Sequence, residues 1–362
     1  MSLPFSGSVR FFLGANAKTG FASLYDSFAQ TPAAGEFVWV LKGGPGCGKS
    51  SFMRRIGAAA EEAGYFVEYV LCSGDPDSLD AVRIPGKKLI YVDGTAPHVT
   101  EAVCPGAASC YLDLSRFLDT GALAEQRAEI LRLNGEISAA YAAAYARLAA
   151  AAALLPNVQV PEAEAKLDRK LSGLAARELP KRSSAGTLTR RFLSANSCRG
   201  RLLLTDTVAA LCPRLWVLDN ALGLGSRFME KLAALARARG YAVLLCPDPL
   251  EPEKPEAVLL PEAGAGFLAA ERKSLPAGLP VYRHLRLDAL AEPFTPEARK
   301  RLRQQRRESA LLYASATAAL AEAKALHDAL EAVYHPHVDF AGVTALADEH
   351  VRKLIGTDGS PS

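Results

Sequence analysis

One stretch of sequence decides the fold expected of this chain: Gly43-Gly44-Pro45-Gly46-Cys47-Gly48-Lys49-Ser50, with Ser51 directly after it. A hydrophobic run at residues 36–42 leads into the stretch, and a helical pattern at residues 51–56 follows it. The phosphate-binding motif G-x-x-x-x-G-K-[ST] requires this strand–loop–helix context. The sequence therefore predicts an α/β domain whose loop binds a nucleoside triphosphate together with Mg²⁺.

The residue types in the loop suit phosphate chemistry. Glycines let backbone N–H groups point at phosphate oxygens, and Pro45 restricts the loop before a ligand arrives. Lys49 is expected to reach the β- and γ-phosphates, and the Ser50 hydroxyl is expected to bind Mg²⁺. Cys47 could be a redox-sensitive thiol at a helix N-terminus, but any small residue fits there. We favour the second interpretation, because no other motif supports redox chemistry.

A second acidic element is expected downstream of the loop. Residues 87–93 form a predicted buried strand ending at Asp93, which we predict to act on the Mg²⁺ side of the site. The alternative for Asp93 is an ordinary Asp-Gly turn. Gly94 stands where many ATPases carry a water-polarising glutamate, so the base must lie elsewhere or hydrolysis is slow. Candidate bases, which turn chemistry would also explain, are Asp75, Asp77, Asp80 and His98.

Composition and motifs narrow the ligand and the compartment. The 362 residues suffice for two or three domains, and the net charge of +3 gives no global nucleic-acid footprint. The absence of an Asn-Lys-x-Asp tetrad in the sequence favours ATP over GTP. Seven scattered cysteines form no disulfide framework, and the N-terminus lacks signal-peptide character. The alanine-rich stretch 139–155 contains Arg147, so we expect a soluble helix and a cytoplasmic protein.

The chain also repeats itself. Short matches recur in the same order about 180 positions later, and small gaps fall where loops are expected. The matched pairs are Phe12-Leu13 with Phe192-Leu193, Ala15-Asn16 with Ala195-Asn196, Trp39-Val40-Leu41 with Trp216-Val217-Leu218, and Phe52-Met53 with Phe228-Met229. This pattern predicts a fold-sized duplication rather than a short solenoid repeat.

The second copy of the phosphate loop is altered. It aligns with Asn220-Ala221-Leu222-Gly223-Leu224-Gly225, which has no lysine, and residues 266–270 replace the strand of Asp93 without an acid. Two catalytic elements are therefore missing from one half, which we interpret as a structural or regulatory half. The alternative is that Arg227 substitutes for the lysine.

The predicted architecture is two tandem P-loop NTPase-like three-layer α/β domains, each with a helical hairpin. The first covers residues 1–185, with its core at about 1–118 and its hairpin at about 119–178. The second covers residues 186–362, with its core at about 186–290 and its hairpin at about 295–356. The hairpins are expected to turn at Pro156-Asn157 and around Pro336.

A basic run, Arg299 to Arg307, lies on the helix predicted after Pro296. It could contact phosphate or nucleic acid, or supply an arginine to ATP in the first loop. The alternative, which we favour, is a solvated helix whose arginine stems pack on neighbours.

Several stretches together resemble an uncharacterised bacterial family of duplicated P-loop ATPases, sometimes labelled nucleotide kinase-like. They are Phe11-Phe12-Leu13-Gly14-Ala15-Asn16, Leu41-Lys42-Gly43-Gly44-Pro45-Gly46 with Gly48-Lys49-Ser50, Asp75-Pro76-Asp77-Ser78-Leu79-Asp80, Val92-Asp93-Gly94-Thr95-Ala96-Pro97-His98, and His327-Asp328 with Leu330-Glu331. Many family members carry a good loop in both halves and a threonine at the position of Cys47, so this chain departs from the family twice. The resemblance implies ATP binding and supplies no substrate.

The leading functional prediction is a Mg²⁺-dependent ATPase with one active site, in the first half. Hydrolysis there would move the first half against the second half and the helical hairpins. The alternatives are an ATP-dependent kinase of a small molecule or nucleotide, and a non-hydrolysing ATP sensor or scaffold with a protein partner. A nucleic-acid motor ranks below these, since only the basic run points to nucleic acid.

Overall fold

The computed structural model describes residues 7–30, 35–97, 99–155, 161–270, 275, 278–291 and 295–356. The first half contains β1 (Ser8–Phe12), β2 (Gly14–Ala17), β3 (Gly20–Ser23), β4 (Phe37–Lys42), α1 (Lys49–Glu62), β5 (Val67–Leu71), β6 (Leu79–Ile84), β7 (Leu89–Asp93), β8 (Ser109–Asp113), α2 (Thr120–Glu125), α3 (Arg127–Ala153) and α4 (Pro161–Glu178). The second half contains β9 (Thr187–Arg190), β10 (Ser194–Ser197), β11 (Gly200–Leu203), α5 (Thr205–Leu211), β12 (Arg214–Leu218), α6 (Leu224–Ala238), β13 (Ala242–Pro247), β14 (Pro255–Leu260), β15 (Ala265–Ala269), β16 (Val281–Leu285), α7 (Pro296–Tyr334) and α8 (Phe340–Ile355).

Each half forms a six-stranded mixed sheet. The strand order is β1-β5-β6-β7-β4-β8 in the first sheet and β9-β13-β14-β15-β12-β16 in the second. Neighbouring strands are parallel except at β6 and β14, which run antiparallel to both neighbours. The two sheets therefore share order and direction, which confirms the α/β class and two similar halves. Because β4 and β7 are parallel with Leu41 opposite Asp93, the first loop and Asp93 lie together at the carboxyl ends of these two strands.

Reciprocal contacts join the two halves. The backbone N–H of Phe12 donates to the Phe192 carbonyl at 2.9 Å, and the N–H of Phe192 donates back to Phe12 at 2.9 Å. The buried side chains of Asn16 and Asn196 donate to each other's backbone carbonyls at 2.8 and 2.7 Å. Such mutual pairing is the signature of a two-fold contact. The repeated Phe-Leu-x-Ala-Asn segments thus lie where the halves meet.

The helices do not form a hairpin on each half as predicted, because α3 and α7 pair with each other across the halves while α4 and α8 are exchanged, each packing on the other half. α3 packs along α7, with Ala144 beside Ala319 and Leu148 beside Ala316, so the two helices run antiparallel. α4 contributes Leu167 to the core of the second half. The predicted hairpin turn at Pro156-Asn157 lies outside the described residues.

The exchange extends to the last helix of the chain. α8 contributes Val343, Ala347 and Leu354 to the first-half core, where it packs against α1. Amphipathic helices bury an apolar face against whichever complementary surface the chain brings near, and here that surface belongs to the other half. Over the described residues, no helix combines the length and the apolar character that crossing a membrane needs.

Candidate functional site

The backbone of the first loop depends on glycines at several positions. It joins β4 to α1, and Gly46 (φ 65°) and Gly48 (φ 90°) occupy the left-handed region that favours glycine. A Cβ atom on Gly43 would lie 2.5 Å from the Cys47 Sγ atom, so a side chain there would clash. The loop therefore needs its glycines at these positions.

Lys49 lies across the loop opening. Its Nζ atom donates to the carbonyl oxygens of Gly43 at 2.9 Å and Gly44 at 3.0 Å, and lies 3.7 Å from Asp93 Oδ2. The other carboxylate oxygen of Asp93 accepts from the Thr95 N–H at 2.9 Å and from its hydroxyl at 2.7 Å. The structure thus brings together the lysine and the acid that the sequence predicted, and Thr95 fixes the orientation of the acid.

The N-terminal end of α1 offers donors. Among the described residues, the backbone N–H groups of Gly46, Gly48, Ser50 and Ser51 donate to no protein acceptor. The Ser50 hydroxyl oxygen accepts from the Leu79 N–H at 2.9 Å, which holds it at the start of the helix. Open amides at a helix N-terminus favour an anion.

Cys47 is buried under the cradle, while Pro45 is half-buried in the turn at its tip and Ser51 is exposed. Burial raises the pKa of the Cys47 thiol, and the nearby Lys49 ammonium only partly opposes this. A thiol with a raised pKa is a poor thiolate source, so its environment matches the packing role favoured from the sequence.

The candidate bases named from the sequence are engaged by other side chains. Asp75 and Asp77 are in ion pairs, and Asp80 is buried and accepts a hydrogen bond. The partners are Lys324 at 3.4 Å for Asp75, Arg199 for Asp77 and Tyr25 at 2.7 Å for Asp80. His98 lies outside the described residues. None of the three described carboxylates is placed as an unengaged group at the first loop.

Side chains of the protein accept hydrogen bonds from backbone N–H groups of the second loop. The Asp288 carboxylate accepts from the backbone N–H groups of Ala221 at 2.8 Å and Leu222 at 3.2 Å. The Asn220 side-chain oxygen accepts from the Ser226 N–H at 3.0 Å. Burial raises the pKa of Asp288, and the two N–H donors oppose that shift. Side chains of the protein thus occupy donors that a phosphate would otherwise use.

The second loop also lacks the counterparts of Lys49 and Asp93. In the strand register, Ala269 takes the place of Asp93. Arg227 forms an ion pair with Glu164 of α4 at 2.9 Å. This contact does not support the alternative that Arg227 replaces the lysine, because its guanidinium is turned to α4.

A segment of the second half covers the first loop, which the sequence reasoning missed. We call residues 324–335, at the end of α7, the covering segment. A Cβ atom placed on Gly44 would lie 2.9 Å from Tyr334. One on Gly46 would lie 2.9 Å from His335 and 3.2 Å from Glu331 Cβ. One on Gly48 would lie 3.3 Å from Val343 of α8. In the sequence, this segment was marked only by the family resemblance at His327-Asp328 and Leu330-Glu331. That resemblance did not show where the segment lies in the fold.

Three ligating side chains cluster on the covering segment. His327, Asp328 and Glu331 have ligand atoms within 4.8 Å of one another. The Lys324 ammonium contacts the Asp328 carboxylate and already balances part of this charge. We therefore assign no metal to the cluster.

The basic run lies at the other end of α7, beside the second loop. It lines a cavity of about 220 Å³ formed by Ala221, Leu222, Arg299, Leu302, Arg303 and Arg306. At 1.5 Å per residue, Arg307 at the near end of the run is about 36 Å along the helix from Glu331, which contacts the first loop. An arginine of this run therefore cannot reach the first loop. The hypothesis that the run supplies an arginine to ATP in that loop is corrected.

Comparison with protein-family models, with curated proteins and with solved structures finds no match to the chain. The family resemblance therefore stays a prediction.

Proposed function

We propose that the chain binds Mg²⁺-ATP at Gly43–Ser50 and hydrolyses it, with one active site per chain. The contrast between the two loops carries this proposal. In the described first half, the amides of Gly46, Gly48 and Ser50 have no protein acceptor, whereas Asp288 and Asn220 occupy amides of the second loop. The first loop is open to an anion, and the second loop already binds the Asp288 carboxylate.

The residues present suit Mg²⁺-ATP. Open amides and the positive end of α1 would bind the phosphates, and Lys49 would exchange its two carbonyl partners for phosphate oxygens. The Ser50 hydroxyl and the Asp93 carboxylate are oxygen ligands of the kind that Mg²⁺ prefers. Mg²⁺ bound there would neutralise charge on the phosphates. The second half then serves as a scaffold that covers the first loop.

Phosphate release from Mg²⁺-ATP tests the proposal. Lys49→Ala should lower the rate about 100-fold or more, because it removes a cation that stabilises developing charge. Arg227→Ala, the matched change beside the second loop, should leave the rate within about twofold. Equal phosphate release by folded Lys49→Ala and wild-type protein would contradict the proposal. ADP formed without free phosphate, only in the presence of a metabolite pool, would indicate phosphotransfer instead.

A further inference from the structure

A hydrolytic site at the first loop needs a group that accepts a proton from the attacking water. The carboxylates of Asp75, Asp77 and Asp80 are engaged by the partners described above. Asp93 is held by Thr95 and faces Lys49. Since these described carboxylates are engaged, the other described elements that reach the loop are the candidate sources of a base.

Glu331 on the covering segment meets this requirement. Its Cβ atom lies 3.2 Å from the position that a Cβ on Gly46 would take, so the helix and the loop are in contact there. Its side chain is about one-third exposed. Among the described residues, the one basic side chain near its carboxylate is that of His327, with 3.8 Å between Nδ1 and Oε1, and no lysine or arginine engages it.

The direction of the side chain points the carboxylate toward the side of β4 on which β7 lies. Side chains on a helix lean toward its N-terminus, and Glu331 leans toward His327 in this way. The same direction along α7 leads to Lys324, which contacts Asp75 in the loop after β5. In the sheet order β5-β6-β7-β4, the side of β4 that faces β5 is also the side of β7 and therefore of Asp93.

His335 is the other titratable group over Gly46, with its ring atoms Cδ2 and Nε2 at 2.9 and 3.1 Å from the position that a Cβ on Gly46 would take. Its ring stacks edge-on against Phe340 at the start of α8, with 5.6 Å between the ring centroids. The turn that follows pairs with Asp119 after β8, since the Asp119 N–H donates to the His337 carbonyl at 2.8 Å. The segment after His335 thus lies beside β8, on the opposite side of β4 from β7 and Asp93.

We propose that Glu331 of the second half is the general base for ATP hydrolysis at the first-half loop, an inference that rests on the proposed function. Water attacks the γ-phosphorus, and Glu331 takes the proton that the water loses. The bond between the γ-phosphorus and the bridging oxygen breaks, and its electron pair leaves with ADP. Glu331 then returns the proton to solvent through its exposed side.

Glu331→Gln separates binding from chemistry. It removes the base and keeps the side-chain shape, so Mg²⁺-ATP affinity should stay within about threefold while kcat falls about 100-fold or more. Glu322→Gln, an exposed change on the same helix, is the matched control and should alter neither. Glu331→Asp, which keeps a carboxylate, should retain part of the kcat that Glu331→Gln loses. The measurements are ATP affinity by calorimetry and phosphate release in a single turnover.

The outcomes distinguish this inference from the proposed function. Wild-type protein that binds no Mg²⁺-ATP overturns the proposed function itself. Wild-type protein that hydrolyses ATP while Glu331→Gln hydrolyses at the same rate overturns the inference alone. Equal losses of affinity and kcat in both Glu331 variants would assign the residue a structural role, and would also overturn it.

Discussion

Protonation of His350 should loosen the contact between α8 and the first-half core. This imidazole is 5% exposed, and its ring centroid lies 4.9 Å from that of Trp39 and 5.6 Å from that of Phe52. Its Nδ1 atom is 3.1 Å from the Tyr91 hydroxyl. Burial, with a smaller contribution from the Lys353 charge, lowers the pKa of His350 to about 4.

The size of the effect follows from the two pKa values. The pKa is 6.5 in the unfolded chain and about 4 in the folded one, so the unfolded chain binds more protons between these values. Stability linked to neutral His350 is therefore complete above about pH 6.5, falls as the pH is lowered and is lost below about pH 4. At about 1.4 kcal/mol per pKa unit, the whole effect is about 3 kcal/mol, of which about 2 kcal/mol is lost between pH 7.5 and pH 5.

Urea unfolding of wild-type and His350→Phe protein at both pH values measures this loss. The wild type should lose about 2 kcal/mol more than the variant on going to pH 5. A magnetic-resonance titration of the imidazole should give a midpoint near 4, matching its lowered pKa. A midpoint near the ordinary value, or the same pH dependence in both proteins, would refute the reasoning.

Four other substitutions test how the halves are joined, each by urea unfolding. Arg191→Met should lower the free energy of unfolding by about 3–5 kcal/mol, because it leaves the Glu68 carboxylate buried without its closest cation. In the wild type, Arg191 Nε lies 2.5 Å from that carboxylate, and a loss below about 1 kcal/mol would count against this prediction. Asn16→Ala and Asn196→Ala should each cost about 1–3 kcal/mol and should combine non-additively; strict additivity would contradict the reciprocal pairing. Leu167→Ala on α4 should cost about 2–5 kcal/mol in the second-half transition; an effect confined to the first half would refute the exchange of helices.

The sequence predicted the features that local chemistry determines. The strand, loop and helix around Gly43–Ser50 follow from a motif and from hydrophobic periodicity, and both need only neighbouring residues. The duplication was visible as ordered matches, and two of its matched residues, Asn16 and Asn196, pair with each other in the structure. Asp93 was found because a buried strand that ends in an acid is a local pattern.

The exchange of helices could not be predicted in the same way. An amphipathic face on α4 or α8 shows that the helix is buried, but not which half buries it. The covering segment lies about 290 positions from the first loop in the sequence, so nothing local connects Glu331 to Gly46. Asp288 was missed for a related reason, because filling of the second loop by a carboxylate depends on a three-dimensional contact.

The most direct test of the account is the number of Mg²⁺-ATP molecules that one chain binds, measured by titration calorimetry. The account predicts one site per chain, lost in Lys49→Ala and retained in Ser226→Ala, which alters the matching serine of the filled second loop. Two sites per chain, or a single site that survives Lys49→Ala, would contradict the claim that the first loop is the working copy.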